Sequence, residues 1–316
     1  MPFPVTIGHA NPGNEKITVI NWCLGNTCNF ACSYCPEALH AGSVPWIDYD
    51  AAIDFSQRII THYDQLGQQI EFLFTGGEPT MYPRFLKLLY YLKEAGCRIG
   101  VISNGSRTME WWQKAKDALD FAFLTYHIEY SNRDKFIAIT ELLGAQMPVH
   151  VNLTVIPARF DECLAHANII YETCTSLSLS LKPLLKNMGD HLYDYTAEQQ
   201  DILTRRGFKP KTLNRYASRG MMKVLYDDDT AVEERPAGFI LKDSNHWQGW
   251  YCNAGIELVY IDFNGDIYRG TCRQGGKLGN VLLQDVNFPS APVLCSKKTC
   301  HCLSDIMLTK NKPLRS

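Results

Sequence analysis

Three cysteines occupy a C-x3-C-x2-C spacing in Cys28-Asn29-Phe30-Ala31-Cys32-Ser33-Tyr34-Cys35, directly after the apolar, β-rich run 17–24. Thiols this close on one loop can face one another. A four-iron cluster is normally held by four cysteines, so three leave it one ligand short. An open coordination position usually marks chemistry rather than structural bracing. Farther along, Thr75-Gly76-Gly77-Glu78-Pro79 ends the short apolar stretch 70–74. Glycines let a backbone come close to a ligand, and a carboxylate accepts a strong, charge-assisted bond from an ammonium group. A second cysteine group, Cys252, Cys272, Cys295, Cys300 and Cys302, lies near the C-terminus, whereas Cys23, Cys97, Cys163 and Cys174 sit singly in apolar or helical stretches. The single ones read as small buried hydrophobes.

The elements that position these residues follow from periodicity. Apolar runs at 17–24, 70–74, 99–103, 121–126, 149–155 and 177–181 predict strands, and the segments 48–66, 83–94, 108–119, 133–143 and 159–173 predict helices. Such alternation is the pattern of a parallel sheet built from βαβ units. Six repeats fall short of the eight of a closed barrel, so the expected fold is α/β, a partial (β/α)6 TIM-like barrel. Ligands of such sheets sit at the carboxyl ends of the strands, where Ser103, Asn104, Thr125, His127, Glu129, Asn152, Thr154 and Lys182 fall. Beyond Pro183 the alternation stops, which divides the chain into a barrel (1–183), a connecting segment (184–250) and a small cysteine-rich β-hairpin module (251–316). The hairpin turns at Asn264-Gly265-Asp266 and brings Cys252 and Cys272 together at its base.

The chain has 316 residues, 46% hydrophobic and 20% charged, with a formal net charge of -2. Its overall charge offers nothing to nucleic acid or an anionic membrane. It carries neither a signal-peptide pattern nor a run of apolar residues long enough to span a bilayer. The expected compartment is the cytoplasm, where clustered cysteines more often bind metal than pair as disulfides. One stretch, 205–223, has seven basic residues and no acidic one. It reads either as an anion-binding segment or as a solvated linker.

Cys28, Cys32 and Cys35 after the first strand, with Gly76-Gly77-Glu78-Pro79 after the second, resemble the radical S-adenosylmethionine (SAM) superfamily. The resemblance implies that each of the three thiolates binds one iron of a [4Fe-4S] cluster, and that SAM chelates the fourth iron. Gly76, Gly77, Glu78 and Pro79 would hold SAM, Tyr34 would lie near its adenine, and Ser103 and Asn104 would contact ribose or the methionine carboxylate. Thr125 and Asn152 are assigned to the cofactor as well, and His127 and Glu129 to catalysis. The implied reaction is reductive cleavage of SAM to a 5′-deoxyadenosyl radical that abstracts hydrogen from substrate, with flavodoxin or ferredoxin as electron donor.

The C-terminal cysteines resemble a twitch or SPASM module, which adds an auxiliary [4Fe-4S] cluster. Five thiols suit the single-cluster twitch form, with Cys252, Cys272 and two of Cys295, Cys300 and Cys302 as ligands. The expected function is dehydrogenation or epimerisation of a sugar-like or cyclitol small molecule, since no peptide-recognition domain precedes the first strand. Peptide maturation by crosslinking or epimerisation, nucleotide or nucleic-acid modification, and a cysteine-rich zinc-binding interaction module are the alternatives.

Overall fold

The computed structural model describes residues 2–186, 191–211 and 220–313. In chain order, β1 (Pro4–His9) and β2 (Ile17–Cys23) precede α1 (Tyr49–Gln65), and β3 (Gln69–Thr75) precedes α2 (Phe85–Glu94). Then come β4 (Arg98–Ser103), α3 (Met109–Ala115), β5 (Phe121–Tyr126), α4 (Arg133–Gly144), β6 (Val149–Val155), α5 (Phe160–Thr173) and β7 (Ser178–Pro183). The remainder holds α6 (Ala197–Arg205), β8 (Met222–Tyr226), β9 (Ala231–Glu234), α7 (Pro236–Leu241), β10 (Tyr251–Cys252) and β11 (Leu258–Ile261). It ends with β12 (Asp266–Tyr268), β13 (Lys277–Asn280), β14 (Val293–Leu294), α8 (Leu303–Ile306) and β15 (Lys310–Asn311). The six strands β2 to β7 and the five helices α1 to α5 stand where hydrophobic periodicity places them. Among the described residues no helix is long and apolar enough to cross a membrane.

The chain forms two compact units: the first comprises 1–22, 47–72 and 217–316, the second 23–46 and 73–216. In the second unit β4, β5, β6 and β7 are parallel neighbours. One face of this sheet carries Leu124, Tyr126, Val151, Leu153, Val155 and Leu179, all buried. The other face carries Ile102, Phe121 and Phe123 and turns polar toward its carboxyl end, where Thr125, Asn152 and Ser180 stand side by side in register, followed by Thr154 beside Lys182. Parallel sheets are usually apolar on both faces, so a hydroxyl, amide and ammonium row is a departure that needs a use.

In the first unit β11 runs parallel to β2, and the hairpin β11–β12–β13 continues from it. Asp48 caps α1 by accepting from the backbone N–H of Asp50 and Ala51, at 2.9 and 3.2 Å. The helix buries Ala52, Phe55, Ile59 and Tyr63, one stripe at helical spacing, with Trp22 edge-on to Phe55 at 5.3 Å. A second sheet orders β14-β10-β15-β1-β8-β9. Its core is Ile7, Met222, Val224, Phe239, Trp247, Trp250 and Ile306. None of β1, β8, β9, β10, β14 and β15 was expected from periodicity; most are two to six residues long and pair with partners far away in the chain.

Candidate active site

The cysteine loop belongs to the second unit and is laced to the turn that follows β3. Gly77 N–H donates to the Gly25 carbonyl at 3.0 Å and Glu78 N–H to that of Thr27 at 2.8 Å. A Cβ on Gly77 would stand 2.3 Å from the Thr27 oxygen, and one on Gly76, whose φ is +131°, 2.5 Å from the Gly25 oxygen. The close approach these glycines permit is therefore to the backbone of the cysteine loop itself. Asn26, 1% exposed, fixes the far side of the loop: its amide donates to Ala38 O and Ser43 Oγ and accepts from Val44 N–H.

Glu78 is 1% exposed. Its Oε1 accepts from the Thr80 and Ser103 hydroxyls at 2.6 and 2.8 Å, and Oε2 accepts from Asn104 N–H at 2.7 Å. The carboxylate thus ties the end of β3 to the end of β4, with Oε2 holding the capacity left for a ligand. Burial raises its pKa and these hydrogen bonds oppose that rise. Pro79, also buried, opens the short turn that follows. Asn104 Nδ2 donates to Asn29 Oδ1 at 3.0 Å and points to Cys28 Sγ at 3.8 Å, while Phe30 N–H reaches the same sulfur at 3.4 Å. Cys28 thus has two N–H groups on its sulfur, an arrangement that favours thiolate over thiol.

His127 and Glu129, at the end of β5, grip the loop from the other side. Glu129 accepts from Ser33 N–H at 2.8 Å and from Ser33 Oγ at 2.5 Å. The Tyr34 hydroxyl lies 2.6 Å from His127 Nδ1, with the two rings stacked at 6.1 Å. Burial, then the charge of Lys182, lowers the His127 pKa to about 4. Burial, then Cys32, pushes Tyr34 far above the usual tyrosine range. The phenol therefore keeps its proton and donates it, Nδ1 accepts, and the imidazole is neutral. Tyr130 adds a hydrogen bond to Ala31 O at 2.9 Å and a stacked ring over Phe30 at 5.3 Å. Thr125 and Asn152 are neighbours at the polar carboxyl end of the sheet.

Burial raises Cys28, Cys35 and Cys32, the last to about 11, and each of the three thiols is raised or raises another in turn. The loop brings them into mutual electrostatic reach. Among the described residues no group of three Cys, His, Asp or Glu side chains is placed to hold a metal ion.

The other group lies in the first unit, and four separate devices hold its thiols. Cys252 is in β10, between β14 and β15. Cys272 N–H donates to Asp305 Oδ2 at 2.6 Å, beside bonds from Thr271 N–H and hydroxyl. Gln274, 7% exposed, accepts from the Ser296 N–H and donates to the Leu294 carbonyl, seating Cys295 between them. Asn245 donates to the Cys300 carbonyl at 2.7 Å and its own carbonyl receives Cys300 N–H at 2.9 Å. After burial, Cys295 acts on Cys252, Cys252 on Cys272, and both Cys252 and Cys272 on Cys300. Cys302 is not among the groups that chiefly act on these three; it is the N-cap residue of α8. Asn245, Gln274 and Asp305 carry no spacing signal in the sequence, because their partners lie 20 to 55 residues away.

Of the basic stretch, residues 212–219 lie outside the described residues. Arg205 pairs with Asp201 at 2.7 Å, Arg206 bonds Asn168 Oδ1, and Lys211 donates to the carbonyls of Tyr171 and Cys174. Those cations are engaged within the second unit.

Residues 22–168 match the Radical SAM superfamily. Over 94 residues the chain is 28% identical to an AdoMet-dependent heme synthase of Nitratidesulfovibrio vulgaris, a match spanning 30% of this chain and 24% of that relative. The fold is similar to that of anSMEcpe with bound AdoMet, with a TM-score of 0.50 and 16% identity over 85% of this chain and 79% of that one. It is similar too to Streptococcus suis SuiB bound to its precursor peptide SuiA, with a TM-score of 0.52 and 13% identity over 85% and 64% of the two chains. Three thiolates on one loop, with N–H donors on the first sulfur and a lacing of glycine backbone behind them, are a donor set that fits an iron–sulfur cluster. Sequence match and cysteine loop agree that residues 22–168 are similar to the Radical SAM superfamily.

Proposed function

We propose that the enzyme oxidises a polyhydroxylated small molecule, sugar-like or a cyclitol, by two electrons, with Cys252, Cys272, Cys295 and Cys300 holding an auxiliary [4Fe-4S] cluster. The observation that carries this reading is the hydrogen-bond network of the first unit that seats these cysteines: Asp305 accepts from Cys272 N–H, Cys295 N–H donates to the Trp250 carbonyl, Asn245 brackets Cys300, and Cys252 lies in β10 between β14 and β15. Four soft donors are the complement such a cluster needs, which leaves Cys302 outside. In this reading β2 to β7 are a partial (β/α)6 barrel and the segment from Tyr251 onward is a twitch-like module.

Cys28, Cys32 and Cys35 would hold the cluster that supplies one electron to SAM, with Gly76 to Pro79 beside it, and Cys252, Cys272, Cys295 and Cys300 would hold the cluster that takes one electron back; together these groups would supply the means to remove a hydrogen atom, a proton and an electron from a substrate alcohol, the proton passing to solvent. The shelf of Thr125, Asn152, Ser180, Thr154 and Lys182 offers hydroxyl, amide and ammonium groups in register, a surface suited to a substrate rich in hydroxyls. Epimerisation is the second reading, since the thiol of Cys302 is left over to return a hydrogen atom.

The test incubates anaerobic protein with SAM and dithionite against a panel of deuterated cyclitols, sugars and peptides. Deuterium in 5′-deoxyadenosine and a product three mass units lighter than the carbon-deuterated substrate support oxidation, and a product one mass unit lighter with inverted configuration supports the second reading. SAM cleavage stimulated by peptides and by no polyol overturns the substrate class.

A further inference from the structure

Lys310 is 2% exposed. It is the cross-strand partner of Cys252 in the β10–β15 pair, so the two side chains leave the sheet on the same face, roughly 5 Å apart at Cβ. Its three ammonium protons end on carbonyl oxygens, those of Asp305 at 2.8 Å, Ile306 at 3.0 Å and Leu308 at 2.9 Å. The ammonium also sits 4.5 Å over the Trp247 ring. Among the described residues it makes no ion pair. The Asp305 carboxylate acts on it through space but is directed at Thr271 and Cys272.

Burying an ammonium group without a hydrogen-bonded carboxylate costs several kcal/mol. Carbonyl dipoles at the end of α8 and an aromatic face lessen that cost without neutralising the charge. With every proton engaged, Lys310 has none left to donate to a ligand, and what it offers is a fixed positive charge. That charge falls on the cysteines: after burial it is the strongest influence on both Cys252 and Cys300, in the direction that favours thiolate, and it offsets the opposing Asp305 carboxylate.

We propose that Lys310 is a built-in counter-ion for an anionic metal–thiolate assembly at Cys252, Cys272, Cys295 and Cys300, retaining it and making its reduction easier. The inference rests on the auxiliary-cluster reading above. Four thiolates around a [4Fe-4S] core leave net negative charge, and reduction adds one more. A fixed cation across one strand pair stabilises the reduced form more than the oxidised one.

The experiment uses the full chain with Cys28, Cys32 and Cys35 all replaced by Ala, reconstituted anaerobically with iron and sulfide, so that iron content and reduction potential report the second site alone. Lys310→Gln keeps N–H donors for the carbonyls without the charge; Lys310→Arg keeps the charge. Reduction of the Gln variant should be at least about tenfold less favourable, a shift of 59 mV for a one-electron couple. It should also lose iron faster to a chelator, while the Arg variant stays near its parent. Equal potentials and equal iron retention in parent and Gln variant would overturn the role of Lys310. A parent that binds no iron overturns the auxiliary-cluster reading, and the counter-ion role with it. Should Lys310→Gln not fold, as judged by circular dichroism, Lys310→Met refills the stem volume and takes the same two measurements.

Discussion

The two cysteine groups are assembled by opposite routes. In the second unit, three thiols come from one eight-residue loop, and the fold only has to hold that loop still: Gly76 and Gly77 lace it, Glu129 and His127 grip it. In the first unit the four thiols proposed to act together arrive from four segments, each held by its own partner, Asp305, Gln274, Asn245 or β15. Their electrostatics differ as well. The loop cysteines feel the carboxylates of Glu78 and Glu129; Cys252 and Cys300 feel the buried ammonium of Lys310 ahead of the Asp305 carboxylate, and Cys272 feels Asp305. An iron–sulfur potential depends on nearby charge and hydrogen bonds to sulfur. If clusters bind at both, the site with carboxylates alone should be the harder to reduce, and the site where Lys310 offsets Asp305 the easier.

The sharpest way to break this division is to remove one thiol from each group. Cys32→Ala should abolish 5′-deoxyadenosine formation while iron remains at the other site. Cys272→Ala should leave SAM cleavage measurable and lower product formation by about 100-fold or more, the scale of losing a metal ligand and its support. Both variants are to be read by iron analysis alongside product chromatography. Equal loss of all iron in the two would mean that the groups are not independent sites.

That division also explains what the sequence could tell. A loop whose ligands are three and four residues apart announces itself by spacing, and the strands β2 to β7 by their apolar runs, so Cys28, Cys32, Cys35 and the turn Gly76–Pro79 were legible. The roles within it were less so. Gly77 suggests a ligand approach, yet the atom its missing Cβ would meet is the Thr27 carbonyl; Glu129 suggests catalysis, yet its oxygens hold Ser33. Nothing local distinguishes a carboxylate that binds substrate from one that binds backbone. In the first unit, β10, β14 and β15 are each two residues long, too short for any period to register. Cys302 and Cys300 look equivalent in the sequence; Cys300 is the proposed ligand because Asn245 brackets its backbone.

The lacing gives the next prediction. Gly77→Ala places a methyl on backbone that cannot move aside without opening the loop, so the metal-free protein should lose about 3 kcal/mol, measured by denaturant unfolding. Ser at position 33 replaced by Ala should cost less, since it removes one hydroxyl and leaves the backbone bond to Glu129 intact. A smaller contrast separates the thiols near the C-terminus. Cys300→Ser should lower iron retained at the second site at least about tenfold against a chelator, and Cys302→Ser should leave it unchanged. The reverse order would move the fourth ligand to Cys302.

The smallest effect belongs to His127, and it tests whether this residue clamps the loop or performs proton transfer. Burial and Lys182 hold its pKa at about 4, below the ordinary 6.5. Between those values the unfolded chain binds a proton that the folded chain refuses, so the stability His127 contributes is present above pH 6.5 and lost as pH falls toward 4. Protonation would also take away the acceptor of the Tyr34 hydroxyl, releasing one of the bonds on the cysteine loop. His127→Gln retains an oxygen that can accept from Tyr34 and has nothing to titrate. Its thermal midpoint should fall less than that of the unmodified protein between pH 6.5 and 4, and SAM cleavage at pH 7.5 should stay within a few-fold. If the midpoints of the two proteins keep a constant difference across that range while cleavage collapses, His127 moves protons in the reaction and the loop is held by Glu129 and the glycines alone.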